Sequence, residues 1–209
     1  TKVVDSAIGI YDWLVAQGAE RGHSIVALGG GVVGDLAGFV AATFLRGMPL
    51  VQAPTSLLAM VDASIGGKVA VNHPRAKNLI GAFYQPRLVL ADVATLTTLP
   101  SRELTSGWAE AIKHAFIQDA ELLGFLETNA AALVALDKEA TTWAISRSMA
   151  IKGRVVSEDP KETGLRIILN YGHTIAHALE ATTEYESFLH GEAVAIGMLY
   201  ATRIAIEMG

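Results

Sequence analysis

The stretch Ala27-Leu28-Gly29-Gly30-Gly31-Val32-Val33-Gly34-Asp35 decides how the first half of the chain folds. A short run at 24–28 leads into it and the apolar residues 36–45 follow Asp35, so it reads as strand, glycine turn, helix. Inside it lies the spacing G-x-G-x-x-G, which lets backbone amides approach a pyrophosphate at a helix N-terminus. A plain tight turn satisfies the same spacing, and the ordinary dinucleotide fingerprint adds an acid about 20 residues further on to hold the ribose. The stretch 50–54 offers no acid, so the reading is nucleotide binding of a non-standard kind.

Working outward, Val4, Ile8, Tyr11, Leu14 and Val15 recur with helical period upstream. Downstream, the apolar runs 50–53 and 88–91, bounded by Pro49, Pro54, Pro86 and Asp92, read as buried parallel strands. Residues 1–100 hold 12 of the 20 Gly and 5 of the 6 Pro. Beyond Pro100, periodic segments over 101–118, 119–136, 139–157, 172–184 and 190–208 predict an all-helical second half. The fold class is therefore α/β plus all-α: a Rossmann-like nucleotide-binding domain over 1–100, then a helical domain over 101–209. The chain begins at Thr1-Lys2 and stops at Met208-Gly209 directly after a periodic run, so it reads as part of a longer protein, its α/β domain truncated.

Sixteen basic against 21 acidic side chains give a net charge of −5, which disfavours nucleic acid as a partner. The longest run free of polar side chains, 25–34, has ten residues, against the roughly 18 that span a bilayer, so no membrane partner is expected. With no cysteine, disulfides and thiolate metal sites are both excluded, and a reducing, cytoplasmic location is the expectation.

Two cation-rich stretches follow the glycine turn. Ser64-Ile65-Gly66-Gly67-Lys68 fails as a P-loop, because Asp62 stands where the first Gly belongs and Val69 where a magnesium-binding hydroxyl should be. Arg46, Lys68 and Lys77, each beside glycine or asparagine in apolar surroundings, suit ligands for an anionic small molecule better than a solvated face.

The helical half carries a metal-ligand pattern. His173 and His177 lie one turn apart, Glu110 and His114 likewise, and His190-Gly191-Glu192 opens a later helix. A lone histidine is more often a core or capping residue, but four of the six histidines stand in these apolar helical contexts. Without cysteine, a His/Glu site is the natural zinc solution, and a catalytic one keeps a position open for substrate. Spacing does not choose three ligands from Glu110, His114, His173, His177, His190 and Glu192.

Together these segments resemble one family over the whole chain, the 3-dehydroquinate synthases within the sugar-phosphate cyclases. The resemblance rests on the glycine stretch above, Pro54-Thr55-Ser56-Leu57-Leu58-Ala59-Met60-Val61-Asp62, Ile65-Gly66-Gly67-Lys68, Lys77-Asn78-Leu79-Ile80-Gly81, Ala109-Glu110-x-x-Lys113, Asn170-Tyr171-Gly172-His173 and Leu189-His190-Gly191-Glu192, in that order. It implies NAD and a divalent metal, zinc or cobalt, as cofactors, with Glu110, His173 and His190 as metal ligands. It implies that Lys2, Gly31, Val32, Val33, Gly34, Asp35, Thr55, Ser56, Lys77 and the turn Thr95, Leu96, Thr97, Thr98 meet NAD. Substrate contacts would be Arg46, Asp62, Lys68, Asn78, Lys113, Lys152, Arg166, Asn170 and His177, with His177, Glu162, Lys113 and Lys68 in catalytic roles.

Arg46 resembles an arginine offered to the phosphate from a neighbouring subunit, which implies a homodimer. The implied substrate is a sugar-acid phosphate, 3-deoxy-D-arabino-heptulosonate 7-phosphate, converted to 3-dehydroquinate and phosphate by oxidation, elimination, reduction and intramolecular aldol closure. Cyclases of the same group act on sedoheptulose 7-phosphate or glucose 6-phosphate, which lack the carboxylate. Two readings compete with this one: a metal-dependent polyol or alcohol dehydrogenase of related architecture, and a folded but non-catalytic fragment. Relative to the family pattern, Thr55-Ser56 keeps a hydroxyl where two threonines are usual, Tyr171 replaces a common Trp, and Lys2 lacks the preceding Gly-Glu. The family's first strands and last helices lie outside this chain.

Overall fold

The glycine stretch folds as β1 (Ile25–Gly29), one connecting residue and α2 (Gly31–Thr43) in a computed structural model that describes residues 2–184 and 187–209. The helix therefore begins at Gly31, earlier than the sequence reading, which started it after the glycines. Gly30, extended at φ −77° and ψ −174°, caps the helix and completes the change from strand to helix alone. Gly29 sits at φ +156°, where an added Cβ would lie 2.7 Å from Val33 Cγ2. At Gly34 a Cβ would lie 2.7 Å from Gln52 Oε1, so its absence lets α2 close onto the next strand, where Gln52 Nε2 donates to the Gly34 carbonyl at 3.1 Å.

The chain divides into two units, Thr1–Thr95 and Leu96–Gly209. In the first, β1 pairs in parallel with β2 (Leu50–Pro54), and β2 with β5 (Leu88–Val89), giving the order β1-β2-β5. Ala27, Ala41 and Leu50 form the core between sheet and α2. On the far side of α2, Val40 packs against Ala7 and Leu14 of α1 (Val4–Ala16). Strand alternation sends Val26 and Leu28 of β1 to the opposite face, where they are exposed. Of the two runs expected as buried strands, 50–53 buries Leu50 and Gln52, whereas in 88–91 Leu88 and Leu90 are exposed, since β5 is a two-residue strand at the end of the sheet.

A second correction concerns 68–83. These residues form an antiparallel hairpin of β3 (Lys68–His73) and β4 (Ala76–Phe83) that the sequence reading missed. Lys68, Lys77 and Asn78 accordingly stand on strands and not on turns. β4 carries Lys77, Asn78 and Gly81 and is exposed along almost its whole length, so it lacks the apolar alternation that marks a strand.

The second unit is helical as expected. α3 (Ser101–Gln118) starts after Pro100 and buries Leu104, Trp108, Ala111 and Ala115 at helical spacing. Residues 119–136 form two helices where one was expected, α4 (Ala120–Thr128) and α5 (Ala130–Val134). The break is at Asn129, which leaves helical geometry and donates its side-chain amide back to the Phe125 carbonyl at 2.9 Å. Then come α6 (Lys138–Glu158), a 3₁₀ turn (Leu165–Asn170), α7 (His173–Thr182) and α8 (His190–Met208). Among the described residues, no helix is long and apolar enough to cross a membrane.

Two close approaches fix α8. A Cβ at Gly197 would lie 2.0 Å from the Gly172 carbonyl oxygen, and one at Gly191 only 1.8 Å from that of Ser106. Glycine at these positions brings α8 against both α7 and α3.

Candidate active site

In the second unit three helices deliver an acid and two imidazoles to one point. Glu110 comes from α3, fully buried; His173 is the first residue of α7; His190 is the first of α8. His173 Nε2 and His190 Nε2 lie 3.6 and 3.7 Å from the same oxygen, Glu110 Oε1, and the three ligand atoms are all within 4.8 Å of one another.

Hydrogen bonding assigns the tautomers. His173 Nδ1 meets the Tyr171 carbonyl at 3.3 Å and His190 Nδ1 meets Glu180 Oε1 at 3.1 Å, both acceptors, so each Nδ1 donates its proton. In the neutral imidazole, the form that binds a metal, each Nε2 then carries a lone pair on the side that faces Glu110. Three electron-pair donors facing one another repel unless a cation sits among them. Zinc bonds of about 2.0–2.1 Å at tetrahedral angles separate neighbouring ligand atoms by roughly 3.4 Å, close to the two observed spacings. Glu110, His173 and His190 thus have the donor set and spacing of a three-ligand site. Glu110 Oε2 pairs with Lys113, one turn on and equally buried.

The start of α8 is braced from α3. Arg102 grips Glu192 with Nε to Oε1 and Nη2 to Oε2, both at 2.7 Å, and donates to the Ser187 carbonyl at 2.9 Å. Glu192 also accepts the Leu189 amide at 2.8 Å, and Ser106 Oγ accepts the Gly191 amide at 3.0 Å. Glu192, one of the ligand alternatives left open by spacing, is occupied as this brace, and its carboxyl is held below the usual range by the Arg102 hydrogen bonds. His114 is buried and shares a 2.8 Å hydrogen bond with Ser148 Oγ of α6. His177 stands exposed beside His173, ring centres 5.4 Å apart.

The loop after α6 carries further candidates. Asp159 accepts the amide of Thr163 at 3.0 Å through Oδ1, and those of Gly164 at 2.8 Å and Arg166 at 3.0 Å through Oδ2. The Thr163 amide first, then the other two, hold its carboxyl down to about 2. Folded around Asp159, the loop buries Arg166, which donates to the Pro160 carbonyl at 3.0 Å, and sets Glu162 at φ +59°, where its Oε1 accepts from Asn170 Nδ2 at 3.1 Å. Lys152 is buried on α6.

The first unit brings together a different set. The Asn72 amide bonds to the Lys2 carbonyl at 2.8 Å, tying the chain start to β3. From there Lys2 Nζ reaches both Asp35 on α2 and Asn78 on β4. Gly31, Val32 and Val33 form the first turn of α2, and Thr55 and Ser56 follow β2, the Thr55 amide bonding to the Gly29 carbonyl at 3.0 Å. Ser56 Oγ would lie 3.3 Å from a Cβ on Gly30, so this cradle is open only because glycine lines it. Asp62 lies in the helical turn Ala59–Ala63, and Lys68 and Lys77 are exposed on the hairpin. Arg46 is exposed too, at φ +64°, beside a loop backbone braced by Arg21 donating to the Leu45 carbonyl at 2.9 Å. The 3₁₀ turn Val93–Thr98 straddles the division between the units: Thr95 ends the first, and Leu96, which is buried, Thr97 and Thr98 begin the second.

Sequence reasoning missed Arg102, Ser106, Asp159 and Glu180. Glu180 had a visible signal, since it follows His173 at i+7 and His177 at i+3, on one helix face.

A family model for 3-dehydroquinate synthase N-terminal matches residues 1–106, and one for 3-dehydroquinate synthase C-terminal matches residues 107–209. The chain belongs to the 3-dehydroquinate synthase family. The 3-dehydroquinate synthase of Citrifermentans bemidjiense is 58% identical over 200 residues, covering 96% of this chain and 55% of that protein. This family chain thus spans little more than half the length of such relatives. Among solved structures, 2-deoxy-scyllo-inosose synthase complexed with carbaglucose-6-phosphate, NAD+ and Co2+ is 38% identical, with a TM-score of 0.91 over 99% of this chain and 56% of that one. ValA, the 2-epi-5-epi-valiolone synthase of Streptomyces hygroscopicus subsp. jinggangensis 5008 with NAD+ and Zn2+ bound, is 35% identical, with a TM-score of 0.87 over 95% of this chain and 56% of that one.

Proposed function

We propose that the full-length protein is a 3-dehydroquinate synthase of the cytoplasm, converting 3-deoxy-D-arabino-heptulosonate 7-phosphate to 3-dehydroquinate and phosphate. The observation that carries this reading is the convergence of His173 Nε2 and His190 Nε2 on Glu110 Oε1 in a chain of this family. Those three residues would hold a divalent ion, zinc or cobalt. Gly31, Val32, Val33, Gly34, Asp35, Thr55, Ser56, Lys77 and Lys2 of the first unit, with the turn Thr95, Leu96, Thr97 and Thr98, would hold NAD. When bound, NAD takes up and returns a hydride, and the ion polarises the substrate hydroxyl.

The chain's own residues supply binding and proton transfer. Buried cations at Lys152 and Arg166 suit the substrate carboxylate, because an uncompensated charge in such surroundings costs several kcal/mol, roughly, from desolvation. Asn170 and Asn78 would hold hydroxyls, and Asp62 would accept from one. Lys68 and Lys113 are proposed to neutralise charge that develops on oxygen. His177, exposed next to His173, and Glu162, on its loop, would exchange protons with substrate and water. Arg46 would reach the phosphate in a neighbouring subunit, making the working unit a homodimer.

Phosphate release by the purified full-length protein tests the reading. The heptulosonate should be turned over faster than sedoheptulose 7-phosphate, and Arg166→Ala should weaken the heptulosonate far more than the neutral sugar phosphate. The reading fails if sedoheptulose 7-phosphate is preferred, if Arg166→Ala leaves the preference unchanged, or if NADH accumulates with simple polyols instead.

A further inference from the structure

Glu180 has no place in the reading above, and its setting is unusual. It stands in the last turn of α7, the end of a helix where an anion is disfavoured by the backbone dipole. Its side chain is nonetheless only 12% exposed, and it lies one turn beyond His177 on the face that carries His173. Its Oε1 meets His190 Nδ1 at 3.1 Å. His190 therefore has a carboxylate on one ring nitrogen and Glu110 Oε1 at 3.7 Å from the other. His173 Nδ1, by comparison, meets the neutral carbonyl of Tyr171 at 3.3 Å.

We propose that Glu180 is a positioning residue for the metal site, resting on the assignment of His190 as a ligand. By accepting the Nδ1 proton, its carboxylate fixes the His190 tautomer, sets the angle of the ring and makes Nε2 a stronger electron-pair donor. Such outer partners of ligand histidines are worth about 10–100-fold in metal affinity. A carboxylate bonds an N–H more strongly than a neutral acceptor does, so Glu180 polarises His190 more than a backbone carbonyl in its place would. The alternative role, a clip between α7 and α8, would be felt in the stability of the metal-free fold and not in the metal's affinity or spectrum.

The test uses the full-length protein stripped of metal and titrated with zinc against a competing chelator, in the wild type and in Glu180→Ala, Glu180→Gln and Glu180→Asp. The cobalt-loaded forms are compared by their visible absorption. Glu180→Ala should bind zinc 10–100-fold more weakly. Glu180→Gln, which keeps an acceptor but not the charge, should fall between Ala and wild type, and Glu180→Asp should recover part of the affinity. The cobalt bands of the Ala and Gln forms should shift in position or intensity. Unchanged zinc affinity and cobalt spectra in Glu180→Gln, with wild-type circular dichroism, would overturn the inference while leaving the metal reading intact. A wild-type protein that binds no zinc would overturn both. If Glu180→Ala does not fold, the isosteric Gln form decides.

Discussion

In the first unit the candidate residues hang on backbone turns and strand edges, with Lys68, Lys77, Asn78 and Arg46 all exposed. In the second, Glu110, Lys113, Lys152 and Arg166 are buried side chains fixed by helix packing and by a loop wrapped around Asp159. The contrast follows from how each unit makes room for a ligand. A glycine turn offers amides and needs no cation in its interior. Glu110 is buried where it meets the two partly buried imidazoles, and burial of its charge demands a countercharge, which Lys113 supplies. Damage to the second unit should therefore cost stability as well as function, whereas in the first the two should separate.

The strongest way to break that comparison is Gly191→Ala, whose Cβ would meet the Ser106 carbonyl oxygen at 1.8 Å. Two helix backbones must part, so a loss on the order of 3 kcal/mol or more is expected in denaturant unfolding. The Cβ of Gly38→Ala in the first unit would lie 2.4 Å from Val69 Cγ1 and 3.0 Å from its Cβ, a clash with a side chain and not with another backbone, and should cost less. Equal losses would contradict the contrast.

Next comes Lys113→Met in the metal-free protein. It leaves the Glu110 carboxylate buried without its ion pair, and about 3–5 kcal/mol should be lost. Lys2→Met also removes an ion pair, with Asp35, but both partners keep some contact with water and the unfolding midpoint should move less.

The smallest effect is expected from Asp159→Asn. The Asp159 carboxyl lies at about 2 in the folded protein against an ordinary 3.8, so its contribution is complete above about pH 4 and is lost as pH falls through 2. The variant should melt below wild type at pH 7, and the difference should shrink toward pH 2. A difference independent of pH would refute the role given to the carboxylate.

How far the sequence carried this picture depended on the signal. The helices α3, α6 and α8 of the second half were legible because apolar residues such as Leu104, Trp108, Ala111 and Ala115 repeat at 3.6-residue spacing, whereas the break at Asn129 between α4 and α5 leaves no such mark. The hairpin at 68–83 was not, since β4 has almost no buried face to write an alternation. The candidate ligands could be narrowed to six by residue type and spacing. Choosing among them needed family motifs, because helix-to-helix distance is not encoded in any local pattern. Asp159 and Arg102 were invisible for a related reason: each acts through partners distant in sequence or through backbone amides, and neither leaves a compositional trace.

The central claim is that Glu110, His173 and His190 together hold one divalent ion. Elemental analysis of purified full-length protein and its His190→Ala variant tests it most directly, with circular dichroism to confirm that both are folded. The account predicts about one zinc per chain in the wild type, by one site per three-ligand set, and loss of both metal and turnover in His190→Ala. Stoichiometric zinc retained by the folded variant would contradict it.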